Sequence, residues 1–414
     1  MPDFGDIPNL EVLDLEGCIK LVQIDPSIGV LKKLYFLKLE DCKNLVNIPN
    51  NIFGLSSLKY LNLSGCPKLI KNPIPRQLKN LESSESSSHS QSRTFSLKRS
   101  FYDYHEGLAS CLSEVDISFC SLSQLPGAIG CLHQLERLNI AGNNFVTLPN
   151  LKELSNLEYL NLEHCKLLES FPFPTFFDHM TKHKTTLKHM KNYYLREVGL
   201  IIFNCPKLGE SEHCDSIAFL WMAQFIQARQ QSSNDFCDRN RIDIVIPRSE
   251  IPIWFKNQSE GGSIRMELST IMDNNCIGIA FCVVFSVKPF DQTEPPSSTI
   301  ILEFRNSNSN KLFSHQIIPI IIERDLIVVK SNHMCLCYIP MRSFFDKLNE
   351  IDQTHTHLDD IIMSASRWND RSVGLKLQHC GYRLVYEHDL QDFNLTMMHP
   401  GNLSTHKRKF LAIE

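Results

Sequence analysis

The chain has 414 residues, of which 43% are hydrophobic, and this is enough for two or three domains with ordinary cores. A formal net charge of −4 excludes a general electrostatic attraction to nucleic acid or to acidic membrane surfaces. Fifteen cysteines, an odd number spread over the whole chain, favour a reducing compartment over a disulfide scaffold. The first residues do not read as a secretory leader, and no apolar run reaches the ~18 residues of a membrane span.

A repeated pattern occupies the first half of the chain. Three copies are spaced 24 residues apart, three more follow, and a weaker copy ends the series; they begin at Leu10, Leu34, Leu58, Leu112, Leu135, Leu157 and Leu200. The pattern is L-x-x-L-x-L-x-x-C/N-x-L, in which the two central leucines alternate along a short strand and point into a core. It predicts a mixed α/β leucine-rich-repeat solenoid with short parallel strands. Prolines and glycines in the second half of several copies predict an irregular convex side.

One position of the repeat holds a small polar residue, and its occupants are Cys18, Cys42, Cys66, Cys120, Asn143 and Cys165. At this position the chain turns away from the strand, and a small polar atom can meet free backbone groups there. We therefore interpret these cysteines as a structural ladder on successive coils and not as metal ligands.

Two segments interrupt the repeats. Residues 72–107 include the run SSESSSHSQS and are predicted to be a disordered, serine-rich insertion, and residues 172–196 are irregular and rich in His, Lys and Thr. Apolar residues of SIAFLWMAQFIQARQQ at helical spacing then predict a connecting or capping helix.

After Arg241 the sequence pattern changes to short β-rich runs separated by turn residues. Eight strands are predicted, at 242–246, 263–268, 276–287, 299–304, 317–323, 334–339, 372–377 and 381–386. Because no βαβ alternation is present, they indicate an antiparallel all-β jelly-roll or immunoglobulin-like sandwich. The predicted domains are 1–210 (repeats), 211–236 (helix), 237–390 (β domain) and 391–414 (polar tail).

No established catalytic motif is present in the sequence. The most metal-like clusters are Cys335-x-Cys337 with His333 nearby, and His355-x-His357. A hydrolase that uses His379 and Cys380, or a metal-dependent enzyme in the β domain, is the alternative function. Thin side chains in a β core are the simpler explanation of these cysteines. Trp254 and Phe255 are predicted to be a buried anchor.

The run NCPKL, the helix AFLWMAQFIQA and the stretch IPRSEIPIWFKNQSEGGSI resemble the C-terminal half of plant intracellular immune receptors. These are disease-resistance proteins of the Toll/interleukin-receptor-like (TIR), nucleotide-binding, leucine-rich-repeat type. The stretch resembles the opening of that family's post-repeat jelly-roll/Ig-like domain (C-JID), and GIAFCVVFSV, MCLCYIP and KLQHCGYRLVYEHD resemble its later strands. The resemblance covers about residues 7–390. The sequence departs from complete receptors in that it starts at the repeats and has no G-x-x-x-x-G-K-[S/T] phosphate loop.

The side chains beside the core leucines are expected to face solvent on the concave side of the solenoid. They form three columns of candidate protein-binding residues: first Val12, Phe36, Tyr60, Glu114, Arg137 and Tyr159; second Asp14, Lys38, Asn62, Asp116, Asn139 and Asn161; third Glu16, Glu40 and Glu163, with Ser64, Ser118 and Ala141 between them. Aromatic residues and arginine are common in binding hot spots, and the carboxylates favour a partner with basic patches. The hypothesis fails if these columns are buried or covered by the chain itself.

The sequence therefore predicts a non-enzymatic recognition module without a cofactor, in the cytoplasm and with nuclear residence open. The resemblance implies a protein ligand, either a pathogen effector or a guarded host protein, and a nucleotide-binding domain in cis or in trans as a further partner. Neither a nucleic-acid partner nor a membrane span is expected. An extracellular receptor that uses the sequons at Asn62, Asn257, Asn394 and Asn402 is a third reading, which the absence of a leader disfavours.

Overall fold

A computed structural model describes residues 3–69, 111–125, 129–130, 132–151, 153–170, 198–208, 212–231, 242–267, 275–287, 297–298, 300–306, 311–316, 320–321, 329, 331–351, 360–367 and 375–390. The chain divides into two compact units. The first comprises Met1–Met180 with Asn204–Leu208, and the second comprises Thr181–Phe203 with Gly209–Glu414. The serine-rich insertion, the irregular segment 172–196 and the tail 391–414 lie outside the described residues.

Six short parallel strands form the sheet of the first unit. They are β1 (Val12–Asp14), β2 (Phe36–Lys38), β3 (Tyr60–Asn62), β4 (Glu114–Asp116), β5 (Arg137–Asn139) and β6 (Tyr159–Asn161). Each strand pairs with the next in chain order, and the central apolar residue of every strand is in register with that of its neighbours. β3 and β4 are hydrogen-bonded neighbours, so no further repeat lies between them in the sheet, although the sequence separates them by the insertion.

The side of the first unit opposite the strands is built from turns and short 3-10 helices, at Phe4–Asp6, Pro26–Val30 and Asn50–Gly54. Asp25 caps the second of these by accepting a hydrogen bond from the Ser27 backbone N–H, and Pro26 occupies its first position, where no donor is needed. Ile28 and Ile52 are fully buried under the strands. The predicted parallel strands and irregular convex side are therefore confirmed for the repeats.

In the residues that the structure describes, the second unit has two helices, two larger sheets that are mainly antiparallel, and one separate pair of short strands. Its elements are β7 (Gly199–Ile201), α1 (Glu212–Gln231), β8 (Ile242–Pro247), β9 (Asn257–Glu260), β10 (Ser263–Glu267), β11 (Cys276–Val287), β12 (Ser297–Ser298), β13 (Ile300–Asn306), β14 (Lys311–Gln316), β15 (Ile320–Ile321), β16 (His333–Pro340), α2 (Met341–Ile351), β17 (Asp360–Arg367) and β18 (Leu375–Tyr386). One sheet has the order β7-β8-β16-β11-β18-β9, in which only the β7–β8 pair is parallel. The other has the order β10-β17-β13-β14, and β12 pairs separately with β15.

Helix α1 lies where the apolar periodicity predicts a helix. Ile217, Trp221, Phe225 and Ile226 are buried, and the helix packs against β7 and β8. In the part of the chain that the structure describes, no helix is long and apolar enough to cross a membrane.

The last two predicted strands, at 372–377 and 381–386, are wrong as separate elements. They form the single strand β18, which pairs along its length with the equally long β11. The register of this pairing shifts between Val284 and Phe285 of β11. This pairing supplies backbone partners across His379 and Gly381, where the sequence suggests a turn. The elements β9, β12, β14, β17 and α2 were not predicted from the sequence.

Candidate protein-recognition surface

The strand register places the predicted binding residues on one surface, which we call the strand face. Val12, Phe36, Tyr60, Glu114, Arg137 and Tyr159 are register partners in the first column, and Asp14, Lys38, Asn62, Asp116, Asn139 and Asn161 are register partners in the second. Glu16, Glu40 and Glu163 follow two residues later in their coils. The columns read from the sequence are therefore confirmed as rows of neighbouring side chains.

The expectation that every member of the strand face is open to solvent is wrong. Phe36 retains only 3% of its surface and Tyr159 only 8%. Buried as well are Lys38, Asn62, Asn161 and Glu163. Because parallel strands lie only ~4.8 Å apart, large side chains in one column cover each other. Val12, Asp14 and Glu16 in the first coil stay exposed, and the remaining members are half-buried.

Aromatic side chains organise the first column. The rings of Phe36 and Tyr60 stack with centroids 4.4 Å apart and planes 9° from parallel. The guanidinium of Arg137 lies 4.0 Å from the centre of the Tyr159 ring, and its Nε is 3.9 Å from a Glu114 carboxylate oxygen. These contacts hold the side chains rigid, which lowers the entropic cost of binding through them.

The second column has a structural role that was not predicted from the sequence. In five of the six coils its side-chain oxygen accepts a hydrogen bond from the backbone N–H two residues later, at 2.8–3.2 Å; the acceptors are Asp14, Asn62, Asp116, Asn139 and Asn161. These are Asx turns, which end each strand. The recurrence of Asn and Asp at one repeat position is the sequence signal that could have predicted these turns. For these residues a fold-stabilising role is established and a binding role stays a prediction.

A polar network connects the coils across the strand face. The Lys38 ammonium lies between the carboxylates of Glu16 and Glu40, and its distance to Glu40 is 3.1 Å. The Asn62 amide donates to Glu40 over 3.2 Å. Farther along, the Asn139 amide donates to Asp116 over 2.8 Å. Burial raises the pKa of the Asp116 carboxyl, although hydrogen bonds from Ser118 and Asn139 oppose that shift. With six carboxylates against Lys38 and Arg137, the face is acidic.

The predicted cysteine ladder is confirmed for Cys42, Cys66, Cys120 and Cys165, whereas Cys18 lies in the first coil and Cys205 is a member that was not predicted. Each thiol donates to the carbonyl oxygen of a core residue in the preceding coil, at 3.0–3.5 Å, and the donors are Cys42, Cys66, Cys120, Cys165 and Cys205. Asn143 takes the same place and donates to Ile117 over 3.0 Å. Burial raises the pKa of the Cys66 and Cys165 thiols to about 12, so they stay protonated donors at neutral pH.

The turn after each strand has a second regularity. The residue just before the ladder position has a left-handed backbone in all seven coils, with φ between 53° and 69°; these residues are Gly17, Asp41, Gly65, Phe119, Gly142, His164 and Asn204. This position was not predicted from the sequence. Three glycines at one repeat position were the signal that could have found it.

Those residues of the alternative enzymatic function that the structure describes lie mainly in the core of the second unit. Cys335 and Cys337 are buried in β16, His333 is buried against the rings of Phe203 and Phe285, and burial raises the pKa of the Cys380 thiol to about 11. A thiol with so high a pKa is a poor nucleophile. Within the described ranges no three metal-binding side chains come together. His355 and His357 lie outside those ranges.

Trp254 and Phe255 lie in the opening motif of the second unit. The prediction of a buried anchor is confirmed for Phe255, which is fully buried, and is wrong for Trp254. Trp254 is half-buried and packs edge-on against Phe219 and Phe255, and the Arg383 guanidinium lies 4.7 Å from its ring centre. Ile253, between Pro252 and Trp254, is 95% exposed.

Comparison with known proteins yields two family matches. A model described as the C-JID domain matches residues 246–391, and a leucine-rich-repeat model matches residues 156–180. Among solved structures, the leucine-rich-repeat protein LIC12759 of Leptospira interrogans shares 26% identity with a TM-score of 0.29. That match covers 41% of this chain and 36% of the other.

Similar proteins are plant disease-resistance proteins. Disease resistance-like protein DSC1 of Arabidopsis thaliana is 30% identical over 196 residues, which cover 44% of this chain and 16% of DSC1. Disease resistance protein RPS4 of Arabidopsis thaliana is 27% identical over 227 residues, covering 49% and 19% of the two chains. TMV resistance protein N of Nicotiana glutinosa is 25% identical over 191 residues, covering 43% and 16%. The chain thus spans less than a fifth of the length of these three relatives.

The repeats and the matched second domain define a leucine-rich-repeat protein that carries a C-JID domain. The three relatives indicate which group of such proteins the chain is similar to. The leucine-rich repeats and the C-JID domain of this chain correspond to the C-terminal region of plant TIR-type nucleotide-binding leucine-rich-repeat disease-resistance proteins, to which the three relatives are similar over that region.

Proposed function

We propose that the chain is a protein-recognition module of plant immunity that binds its ligand through the strand face. The observation that supports this proposal is that the first column contains two groups of side chains in lateral contact: Phe36 stacks on Tyr60, and Arg137 contacts Tyr159 and Glu114. Its ligand is a pathogen effector or a guarded host protein, and a nucleotide-binding domain is a further partner in cis or in trans. The module is non-enzymatic and acts in the cytoplasm, with the nucleus as a second compartment.

The accessible part of the strand face is smaller than the sequence predicts. Tyr60, Glu114 and Arg137 are half-buried and offer aromatic and charged groups whose lateral contacts fix their positions. The exposed Val12 and Glu16 extend this surface into the first coil. Because buried members support their neighbours and do not themselves reach a ligand, substitutions that test binding belong on the accessible ones.

We further propose that the second domain is a jelly-roll/Ig-like sandwich and that the predicted domain limits hold from residue 211 onward. The predicted end of the repeats at residue 210 differs from the division into compact units, in which β7 belongs to the second unit. Two antiparallel sheets support this fold. The Phe281 ring of β11 meets the Phe304 ring of β13 edge-on at 5.4 Å, and Phe344 of α2 packs on Phe304 at 5.5 Å. Aromatic contact between two sheets is the core arrangement of a sandwich.

Affinity purification of the tagged chain from plant cells, with and without pathogen challenge, tests the binding role. The test variant combines Tyr60→Ala with Glu114→Lys, and the matched control is Glu153→Lys, which reverses an exposed charge in the return segment of a coil. We expect a specific protein to be captured by the parent and the control and reduced at least ~10-fold by the test variant, because hot-spot truncations cost ~2 kcal/mol or more. A partner that the test variant retains would exclude the strand face, and the absence of any specific partner would reject the recognition function.

A further inference from the structure

The left-handed turn position accepts only certain residues at low cost. The conformation recurs in every coil, so the turn imposes it, whatever residue is present. Glycine adopts it freely, and Asn, Asp and His tolerate it better than other residues do. Six of the seven occupants belong to these four types. Phe119 is the exception, and a bulky aromatic residue in this conformation is a marked outlier that the fold must hold in place.

The turn itself does not require a side chain at this position. Gly65 and Gly142 occupy the same position in the two adjacent coils, so the turn forms without any side chain there. The Phe119 ring is half-buried and lies over Gly142, where an added Cβ would come within 2.2 Å of its Cδ1. The centroid of the His164 ring is 6.3 Å from that of the Phe119 ring, and the two ring planes are tilted by 44°. The ring thus extends across the next coil and keeps part of its surface open at the edge of the strand face.

We propose that Phe119 is a ligand-contacting residue that determines specificity, a role that rests on the proposed recognition function. Strained residues that a rigid scaffold maintains concentrate at ligand-binding positions. The ring offers an apolar contact, and the half-buried carboxylates of Glu114 and Asp116 on the strand of the same coil supply negative charge. The occupant that fits is an apolar side chain of a protein ligand with a Lys or Arg next to it in sequence.

The variant Phe119→Gly separates contact from packing because the two roles predict opposite changes. Glycine relieves the left-handed backbone, so we expect the melting temperature to stay the same or to rise. The matched control is Ser121→Gly, which relieves a second left-handed residue of the same coil (φ 57°) at an exposed position without a ring.

The binding probe is a random dodecapeptide phage library panned against the immobilised full chain. We expect the enriched peptides to pair an apolar residue with Lys or Arg, to bind Phe119→Gly at least ~10-fold more weakly, and to bind Ser121→Gly unchanged. Equal affinity for Phe119→Gly, a lowered melting temperature of that variant, or the absence of enriched peptides would each overturn the proposal. The peptide experiment and the plant-cell purification test different proposals. If peptides bind through Phe119 but no partner is captured from plant cells, the recognition function in plant immunity is rejected and the role of Phe119 in ligand contact is kept.

Discussion

The thiol of Cys66 donates a hydrogen bond to the carbonyl oxygen of Leu39, one coil earlier, over 3.1 Å. The same bond recurs at successive coil junctions, so the ladder satisfies a carbonyl that the strand ladder leaves free. Asn143 makes the bond with an amide and also accepts from the Leu122 N–H at 2.9 Å. Coils therefore stack through backbone groups as well as through leucines.

The variant Cys66→Ala should lower the free energy of unfolding of the first unit by ~1–2 kcal/mol, because the Leu39 carbonyl keeps only the Cys42 backbone N–H as a donor, at 3.3 Å, and a small void remains. Urea titration followed by hydrogen–deuterium exchange of peptides from the first unit measures this. The control is Cys18→Ala, since the half-buried Cys18 thiol donates to no group within the described residues, and a change below ~0.5 kcal/mol is expected there. Equal costs for both variants would contradict a structural role of the ladder bond.

The ladder also predicts loss of stability at high pH. Burial raises the pKa of the Cys66 and Cys165 thiols from 9.0 to about 12, so the folded state keeps protons that the unfolded state releases. The resulting stabilisation is fully present below pH 9.0 and decreases as the pH rises toward about 12. Urea unfolding across this range should show the decline, and the double variant Cys66→Ala, Cys165→Ala should show a shallower one. An unchanged slope in the double variant would assign the effect to other groups.

The sequence predicts the repeats well because their signal is local. Leu13, Leu37 and Leu61 recur at the same place in each copy, and stacking such copies leaves little freedom in the register. The columns of the strand face follow from that register alone. Their exposure does not, because it depends on contacts between copies, such as the stack of Phe36 on Tyr60.

The second unit is harder to predict because its pairings are distant in sequence. The edge strand β9 has the polar sequence NQSE and pairs with β18, more than 100 positions away, so it carries no alternating apolar pattern. The run HCG within β18 reads as a break, yet β11 pairs with it through Val283 and Cys282. Only the partner strands make these segments β structure.

Gly142→Ala should destabilise the first unit by ~1–3 kcal/mol. Its φ of 64° disfavours any Cβ, and the Phe119 ring occupies the space that the methyl group needs. The double variant Phe119→Gly, Gly142→Ala removes the clash but keeps the backbone cost, so it should recover part of the loss. Thermal unfolding of the parent, the two single variants and the double variant gives the coupling energy between the two positions. A coupling indistinguishable from zero would mean that the ring does not rest on Gly142.

Arg383 fixes the opening motif of the second unit to its last strand. Its guanidinium donates to the Trp254 carbonyl over 2.8 Å, stacks on the Trp254 ring and pairs with the buried carboxylate of Asp389, which also accepts from the Tyr386 N–H at 2.9 Å. Lysine keeps the charge but cannot make this planar, multidentate set of contacts. We therefore expect Arg383→Lys to lower the free energy of unfolding of the second unit by ~1–3 kcal/mol and to increase quenching of tryptophan fluorescence by acrylamide. Arg342→Lys on the exposed side of α2 is the matched control and should change neither quantity. If the two variants gave the same stability, Arg383 would be an ordinary surface charge, and the position of Trp254 would depend on Phe219 and Phe255 alone.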